Sequence, residues 1–371
     1  MTTGEALKTR GKPQLADIDF DTTPFLVFWE VTRACTLSCR HCRAAAQPRR
    51  HPQELSQEEG SHLIDQVAEM GAPLLILSGG DPMMRPDLFD FIRHGTRKGL
   101  RVSLAPSATR LVTPEALARA REAGLARASL SLDGSTPSIH DAFRRTPGSF
   151  QRTVQAIEAA REAAVPLQIN TTVSRYNIHD LENLRGLVAK FGAVLWDLFF
   201  LVPTGRGSRE DMISPQEHEE VFHWLYDISS QVPFDIKTTA AEHYRRVAQQ
   251  RGQTQHPATP VSGDGISRAA KGVNDGKGCC FVSHIGEVYP SGFLPLVAGN
   301  VRERPLADMY RGSALFRDLR NPEKLKGKCG RCPYRVLCGG SRARAYALTG
   351  DYLEAEPNCI YQPPETPEGD R

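Results

Sequence analysis

Short apolar runs and amphipathic stretches alternate along most of this chain. The segment Phe25 to Val31 (FLVFWEV) has the continuous apolar character of a strand buried on both faces. After an intervening loop, Ser56 is followed three residues later by Glu59, the spacing of a capping box, and an amphipathic helix runs on to about Met70. From there the alternation is regular, with strands at 73–77, 100–105, 126–132, 167–173 and 194–202 and helices at 86–98, 114–122, 150–163, 177–191 and 215–229. Strand-then-helix units in series, joined by short connections, predict a parallel sheet, because each parallel crossover needs a helix and right-handed crossovers stack those helices outside. Six units are too few for a closed eight-fold barrel. The expected fold class is α/β: a partial (β/α)6 barrel of TIM type, which gathers all strand C-termini around one mouth. An open sheet with helices on both faces is the alternative.

The chain divides accordingly. Residues 1–24 read as a polar leader and 25–235 as the barrel. Residues 236–278 read as a linker or mobile segment, its later part rich in Gly, Ser, Thr and Pro, and 279–365 as a small cysteine-rich domain. A length of 371 residues allows two such domains, with a substantial core in at least one. The 46 Lys and Arg stand against 43 Asp and Glu, too even a balance to hold nucleic acid or an anionic membrane by bulk charge, so an anionic ligand must be met locally. The longest apolar stretch, Val194 to Pro203, is interrupted by Asp197 and falls short of the ~18–20 residues that span a bilayer. The first residues, Met1 to Lys12, are polar and lack an apolar signal core, so a cytoplasmic, reducing location is expected. In that setting nine cysteines in two dense groups read as metal ligands before disulfides.

The first group, Cys35, Cys39 and Cys42, has the spacing C-x3-C-x2-C and falls directly after the first strand, at the C-terminal mouth of the sheet. Three thiolates are an informative number, since a structural zinc and a fully ligated four-iron cube both want four ligands. On a [4Fe–4S] cube, three leave one iron open to chelation by a small molecule. The alternatives are a zinc site completed by His41, which sits awkwardly beside Cys42 in sequence, and buried free thiols.

This motif, after the first strand of a six-unit βα barrel, resembles the radical S-adenosylmethionine (SAM) superfamily. The resemblance implies that the open iron chelates the amino and carboxylate groups of SAM, and that one electron from the cluster yields methionine and a 5′-deoxyadenosyl radical that abstracts hydrogen from substrate. It extends to Gly79, Gly80, Asp81 and Pro82 at the end of the second strand, similar to the family's GGE-type motif, which receives the SAM amino group. Glycines allow close backbone approach and an acid accepts from an ammonium. Ser107, Ser131, Asp133 and Asn170, at later strand ends, are candidates for the ribose and carboxylate of SAM, or else simply pin their loops.

The second group, Cys329, Cys332, Cys338 and Cys359, reads C-x2-C-x5-C-x20-C, four thiolates for one site, and by spacing alone suits zinc as well as iron. In this context it resembles the SPASM-type extension of radical SAM enzymes, whose relatives hold auxiliary [4Fe–4S] clusters. The full pattern carries two; here Ser291, Arg304 and Arg342 stand at positions that would ligate the other. One auxiliary cluster, fully ligated by protein, is therefore expected. Cys279 and Cys280 are left as ordinary thiols entering a strand or as a vestige of the second site. A cluster with no open iron suits the removal of one electron from a substrate radical.

Several stretches, among them 28–46, 77–89, 168–177, 201–207, 280–296 and 329–359, resemble the enzymes of the alternative haem pathway and of haem d1 synthesis. That resemblance implies oxidative modification or decarboxylation of an iron tetrapyrrole side chain, with a donor such as ferredoxin or flavodoxin as partner and no nucleic acid or membrane. Arg144, Arg145, Arg206, Arg209, Arg342 and Arg344 are available as propionate forks. A peptide maturase is the alternative enzyme, and an iron–sulfur or zinc scaffold the alternative without catalysis. No catalytic side chain is assigned beyond the ligands.

Overall fold

A single ten-stranded sheet runs through the protein, and the computed structural model describes it over residues 18–252 and 272–364. Its parallel part begins with β1 (Leu26–Thr32), followed by α1 (Gln57–Glu69), β2 (Leu74–Gly79), α2 (Leu88–Arg97), β3 (Arg101–Leu104) and α3 (Pro114–Glu122). Then come β4 (Arg127–Ser131), α4 (Pro137–Arg144), α5 (Ser149–Glu162), β5 (Leu167–Val173), α6 (Leu181–Lys190), β6 (Leu195–Phe200), α7 (Pro215–Ile228), β7 (Asp235–Thr239) and α8 (Tyr244–Gln250). Strands β1 to β7 lie side by side in chain order, all parallel.

The helices cover one face. Along β5, Leu167, Ile169, Thr171 and Val173 are buried while the alternate residues Gln168, Asn170 and Thr172 are partly exposed. Period-2 alternation in a parallel strand means that only one side meets a helix layer. This is the partial barrel, not a sheet covered on both faces. The apolar side packs into two large clusters, one built on Trp29, Leu75, Leu77, Phe91 and Val102 and the other on Leu130, Ile169, Trp196, Leu198 and Phe222. At the start of α1, Ser56 and Glu59 make the capping box read from sequence.

Three features differ from the sequence reading. Where a linker was expected from residue 236, β7 extends the parallel sheet beyond β6 and α8 follows it; residues 253–271 of that segment lie outside the described residues. The leader is tied down at its end: Ile18 and Phe20 are buried against Phe25 and Val273, and the Tyr310 hydroxyl donates to the Phe20 carbonyl at 2.8 Å. Residues 137–144, outside the helices that the sequence pattern predicts, form α4.

The cysteine-rich region continues the same sheet. Its first strand, β8 (Cys279–Val282), pairs in parallel with β1 on the edge opposite β2, and β9 (Glu287–Tyr289) and β10 (Gly299–Asn300) add antiparallel strands beyond it. Helices α9 (Leu306–Gly312) and α10 (Ala314–Arg320) follow, then the short α11 (Gly327–Gly330) and α12 (Arg342–Thr349). Arg302 forks onto Glu59 of α1 at 2.6 and 2.9 Å, joining this region to the barrel helices. No helix among the described residues is long and apolar enough to cross a membrane.

Candidate functional site: two thiol sets on one sheet

The loop after β1 folds back over the mouth of the barrel, and Cys35, Cys39 and Cys42 come together in it with Leu37 and Ala46. Two of the thiols already receive backbone donors, from Leu37 N–H to Cys35 Sγ at 3.3 Å and from Ala46 N–H to Cys42 Sγ at 3.4 Å. Burial pushes the Cys35 thiol up, with Asp81 and Cys39 adding to it and the Leu37 N–H and Ser107 hydroxyl opposing. A metal is the usual remedy for a thiolate held in such a place. The loop is braced from across the mouth: Arg206, after β6, donates from Nε to the Cys39 carbonyl at 2.9 Å and from Nη1 to the Ala46 carbonyl at 3.2 Å. A Cβ on Gly205 would overlap the carbonyl oxygens of Cys42 and Arg43, so only glycine lets these loops meet. His41 does not join the thiols; it stacks on Phe143 with ring centroids 4.2 Å apart, and burial drives its pKa down to about 3.

Gly79 and Gly80 carry β2 past the start of the cysteine loop. Gly80 N–H donates to the Thr32 carbonyl at 2.7 Å and Asp81 N–H to that of Ala34 at 2.6 Å. A Cβ on Gly80 would lie 2.6 Å from the Arg33 carbonyl oxygen and nearer still to that of Ala34. Asp81 is fully buried, caps the short turn at Pro82–Met84, and accepts from Met83 N–H at 3.2 Å, Ser107 N–H at 3.4 Å and Thr109 Oγ1 at 2.6 Å. Burial raises its pKa. The Ser107 hydroxyl donates to the Gly80 carbonyl, so the ends of β2 and β3 are locked together beside Cys35.

Asp133, expected at the mouth as a ligand contact, is fully buried and committed elsewhere. Arg144 Nη2 lies 2.6 Å from its carboxylate, and Thr172 N–H donates to it at 2.7 Å. Burial alone would raise its pKa, but Arg144, His41 and His140 hold it below the usual range. Ser131 and Asn170 keep partly exposed positions. They sit opposite one another in register and continue as a row through Asp197 on β6 to Lys237 on β7. Lys237 pairs with Asp197 at 2.6 Å. This row belongs to the face that the helices leave uncovered.

Of the six arginines expected as propionate forks, four are structural. Arg144 and Arg206 brace the cysteine loop. Arg342 donates to the carbonyls of Gly340, Tyr352 and Glu354, and Arg344 pairs with Glu356 and donates to the Ala240 carbonyl at 2.6 Å. A cationic cluster missed from sequence stands nearer the site. Arg33 and Arg43, flanking the three cysteines, each reach the buried Glu30 at 3.0 Å, and His284 Nδ1 reaches it at the same distance. Arg43 also lies over the Phe281 ring, 4.7 Å from its centroid. Two guanidinium groups on one carboxylate leave positive charge in surplus.

The four C-terminal thiols line one pocket together with Gly339, Gly340 and Glu356. Glu356 N–H donates to Cys329 Sγ at 3.3 Å and Gly340 N–H to Cys338 Sγ at 3.4 Å. Burial pushes Cys332, Cys338 and Cys359 upward. Four thiols around one pocket supply the ligand count of a fully ligated four-iron cube, as they would of a structural zinc. The neighbouring positions of the incomplete second site are filled by protein: Asp275, largely buried, bonds the Ser291 side chain and accepts from Ala343 N–H at 2.9 Å, beside the buried Arg342. Cys279 and Cys280 are buried in β8, as strand residues.

Comparison with known proteins agrees with this arrangement. Residues 29–188 match the radical SAM superfamily and residues 274–333 the SPASM iron–sulfur cluster-binding domain. The AdoMet-dependent heme synthase of Methanosarcina barkeri is 46% identical over 346 residues, spanning 93% of this chain and 99% of that one. The protein of the same name from Nitratidesulfovibrio vulgaris is 43% identical, spanning 93% and 94%. Among solved structures, Streptococcus suis SuiB bound to S-adenosylmethionine superposes with a TM-score of 0.69 over 92% of this chain and 78% of that one, at 14% identity, which shows a shared fold.

Proposed function

The chain belongs to the radical SAM superfamily, in the family of the AdoMet-dependent haem synthases, and on that premise we propose that it oxidatively decarboxylates propionate side chains of an iron tetrapyrrole. It is an enzyme that uses SAM and a [4Fe–4S] cluster, with a SPASM iron–sulfur domain beside the barrel. The likeness to haem synthases over 93% of the chain supports the substrate reading.

The residues are assigned as follows. Cys35, Cys39 and Cys42 hold the cluster that binds SAM, and Cys329, Cys332, Cys338 and Cys359 hold one auxiliary cluster. When bound, the first cluster and SAM supply a hydrogen-abstracting 5′-deoxyadenosyl radical. The backbone of Gly79, Gly80 and Pro82 borders the SAM amino group, with Asp81 holding that turn in shape, and Ser131 and Asn170 border the rest of the cofactor. Asp133 positions Arg144. Arg33 and Arg43 recognise a substrate carboxylate through their surplus charge, and Phe281 gives a macrocycle an aromatic surface. Overall, each propionate, –CH2–CH2–COO⁻, gives up one hydrogen atom, one electron and CO2 and becomes a vinyl group, –CH=CH2. Cys329, Cys332, Cys338 and Cys359 would hold an auxiliary cluster with no open iron, which would supply an acceptor for that electron. A cytosolic setting keeps the nine cysteines reduced, and a ferredoxin or flavodoxin supplies the initiating electron.

The test is anaerobic incubation of reconstituted, reduced protein with SAM and, in parallel, an iron tetrapyrrole bearing propionates or a ribosomal precursor peptide. A tetrapyrrole product lighter by CO2 and two hydrogen atoms per vinyl group supports the proposal. A modified peptide with unchanged tetrapyrrole moves the chain to the maturases, and no deoxyadenosine with either leaves only a scaffold.

A further inference from the structure

The pocket of the four C-terminal thiols is not built by the cysteine-rich region alone. One wall comes from the barrel chain: His243, at the start of α8, and Arg246, within α8, line it beside the cysteines. Arg246 is only 4% exposed. Its two terminal nitrogens fork onto Glu219 of α7 at 2.6 and 2.5 Å, and its guanidinium lies 5.3 Å from the ring centroid of Tyr361. The fork fixes the cation in one place, since a bidentate Arg–carboxylate pair has little rotational freedom. It stands on the same pocket wall as Cys329, Cys332, Cys338 and Cys359. Glu219 does not line the pocket. The ion pair therefore presents its positive end to the thiols and its negative end away from them.

We propose that Arg246, oriented by Glu219, sets the reduction potential of the auxiliary cluster and so fits it to accept the substrate electron. This rests on the reading that these four cysteines hold an iron–sulfur cluster. Accepting an electron adds one negative charge to a partly buried site, and a fixed cation at its wall favours the reduced form, raising the potential. The carboxylate behind it opposes that effect from farther away. The two members of one ion pair thus act with opposite sign. A residue that merely holds the pocket together has no such signature. Arg246 touches neither substrate nor SAM in this scheme; it is a positioning residue for charge.

The experiment is a redox titration, followed by electron paramagnetic resonance, of the full-length reconstituted protein. The auxiliary signal is identified as the one that persists in the Cys35→Ala, Cys39→Ala, Cys42→Ala variant. Arg246→Gln is expected to lower the midpoint potential of that signal, Glu219→Gln to raise it, and Arg246→Lys to keep it close to the parent value. An unchanged or raised potential in Arg246→Gln, or a shift of Glu219→Gln in the same direction as Arg246→Gln, overturns the proposal. If Arg246→Gln fails to assemble the cluster, Glu219→Gln decides alone: a higher potential supports the proposal and an unchanged or lower one contradicts it. Metal analysis of the parent protein separates the premise, because zinc in the four-cysteine site removes the cluster itself rather than its tuning.

Discussion

Arg144 lies with Nη1 3.5 Å from the Sγ of Cys39, across 105 positions of sequence, while its Nη2 pairs with Asp133 at 2.6 Å. A buried ion pair thus holds a cation against the thiol at the centre of the C-x3-C-x2-C loop. Burial works against the arginine's charge, but Asp133 and Cys39 outweigh it and push its pKa up. Arg144→Met leaves Asp133 uncompensated in the interior. The expected loss is about 3–5 kcal/mol of stability, read as a lower denaturation midpoint, together with less iron at the first site. Unchanged midpoint and iron content would show that the pair is dispensable.

Gly80→Ala is expected to act on the same loop through the backbone. The added Cβ would meet the Arg33 carbonyl oxygen at 2.6 Å, and neither strand end is free to retreat. Overpacking of this kind costs about 1–3 kcal/mol. The expected outcome is a fall from about eight iron atoms per chain to about four, the content of one remaining cube, with the auxiliary signal intact. A full iron complement would mean that the β2 turn tolerates a side chain.

Asp81 is expected to matter to the fold before it matters to SAM. Its carboxylate closes the Met83, Ser107 and Thr109 contacts, and Asp81→Ala strands those donors in the interior at about 1–3 kcal/mol. Thermal melts without SAM should show the loss, and Thr109→Val should show part of it. A variant of normal stability with weakened SAM binding would reassign the acid to the cofactor.

Most of the barrel was legible because each strand from β1 to β6 carries enough aliphatic residues to stand out from its neighbours, and both cysteine sets declare themselves by spacing. β7 was not, since Asp235–Thr239 (DIKTT) holds a single aliphatic residue within a polar segment. With it went Lys237 and, just beyond, His243 and Arg246. A signal was present in α8, where Tyr244, Val247 and Ala248 follow helical spacing and are buried. Arginine roles were the least legible. Arg144, Arg206, Arg342 and Arg344 are ordinary in sequence, and only the fold shows them clamped to carbonyls or buried carboxylates while Arg33 and Arg43 keep surplus charge at the site.

Glu242 gives a pH test. Burial, with Asp275 nearby and Arg245 opposing, raises its pKa from 4.5 to about 7, and its Oε2 has no hydrogen-bond partner among the described residues. The folded protein then holds a proton that the unfolded chain releases. Stability from this group is fully present below pH 4.5 and is lost as pH rises to about 7. Glu242→Gln removes that loss, so the variant should be more stable than the parent by up to about 3 kcal/mol at about pH 8 and roughly equal at about pH 4. Denaturant midpoints at the two pH values measure it, and a variant less stable at the higher pH would show that the carboxylate is ionised and paired.

The most direct test of the proposed chemistry follows hydrogen itself. An iron tetrapyrrole deuterated at the propionate carbon next to the ring is incubated anaerobically with SAM, reductant and the reconstituted protein, and both deoxyadenosine and tetrapyrrole are weighed by mass spectrometry. The expected result is one deuterium in deoxyadenosine for each vinyl group formed. Deoxyadenosine without deuterium, beside a tetrapyrrole that keeps its propionates, would contradict it.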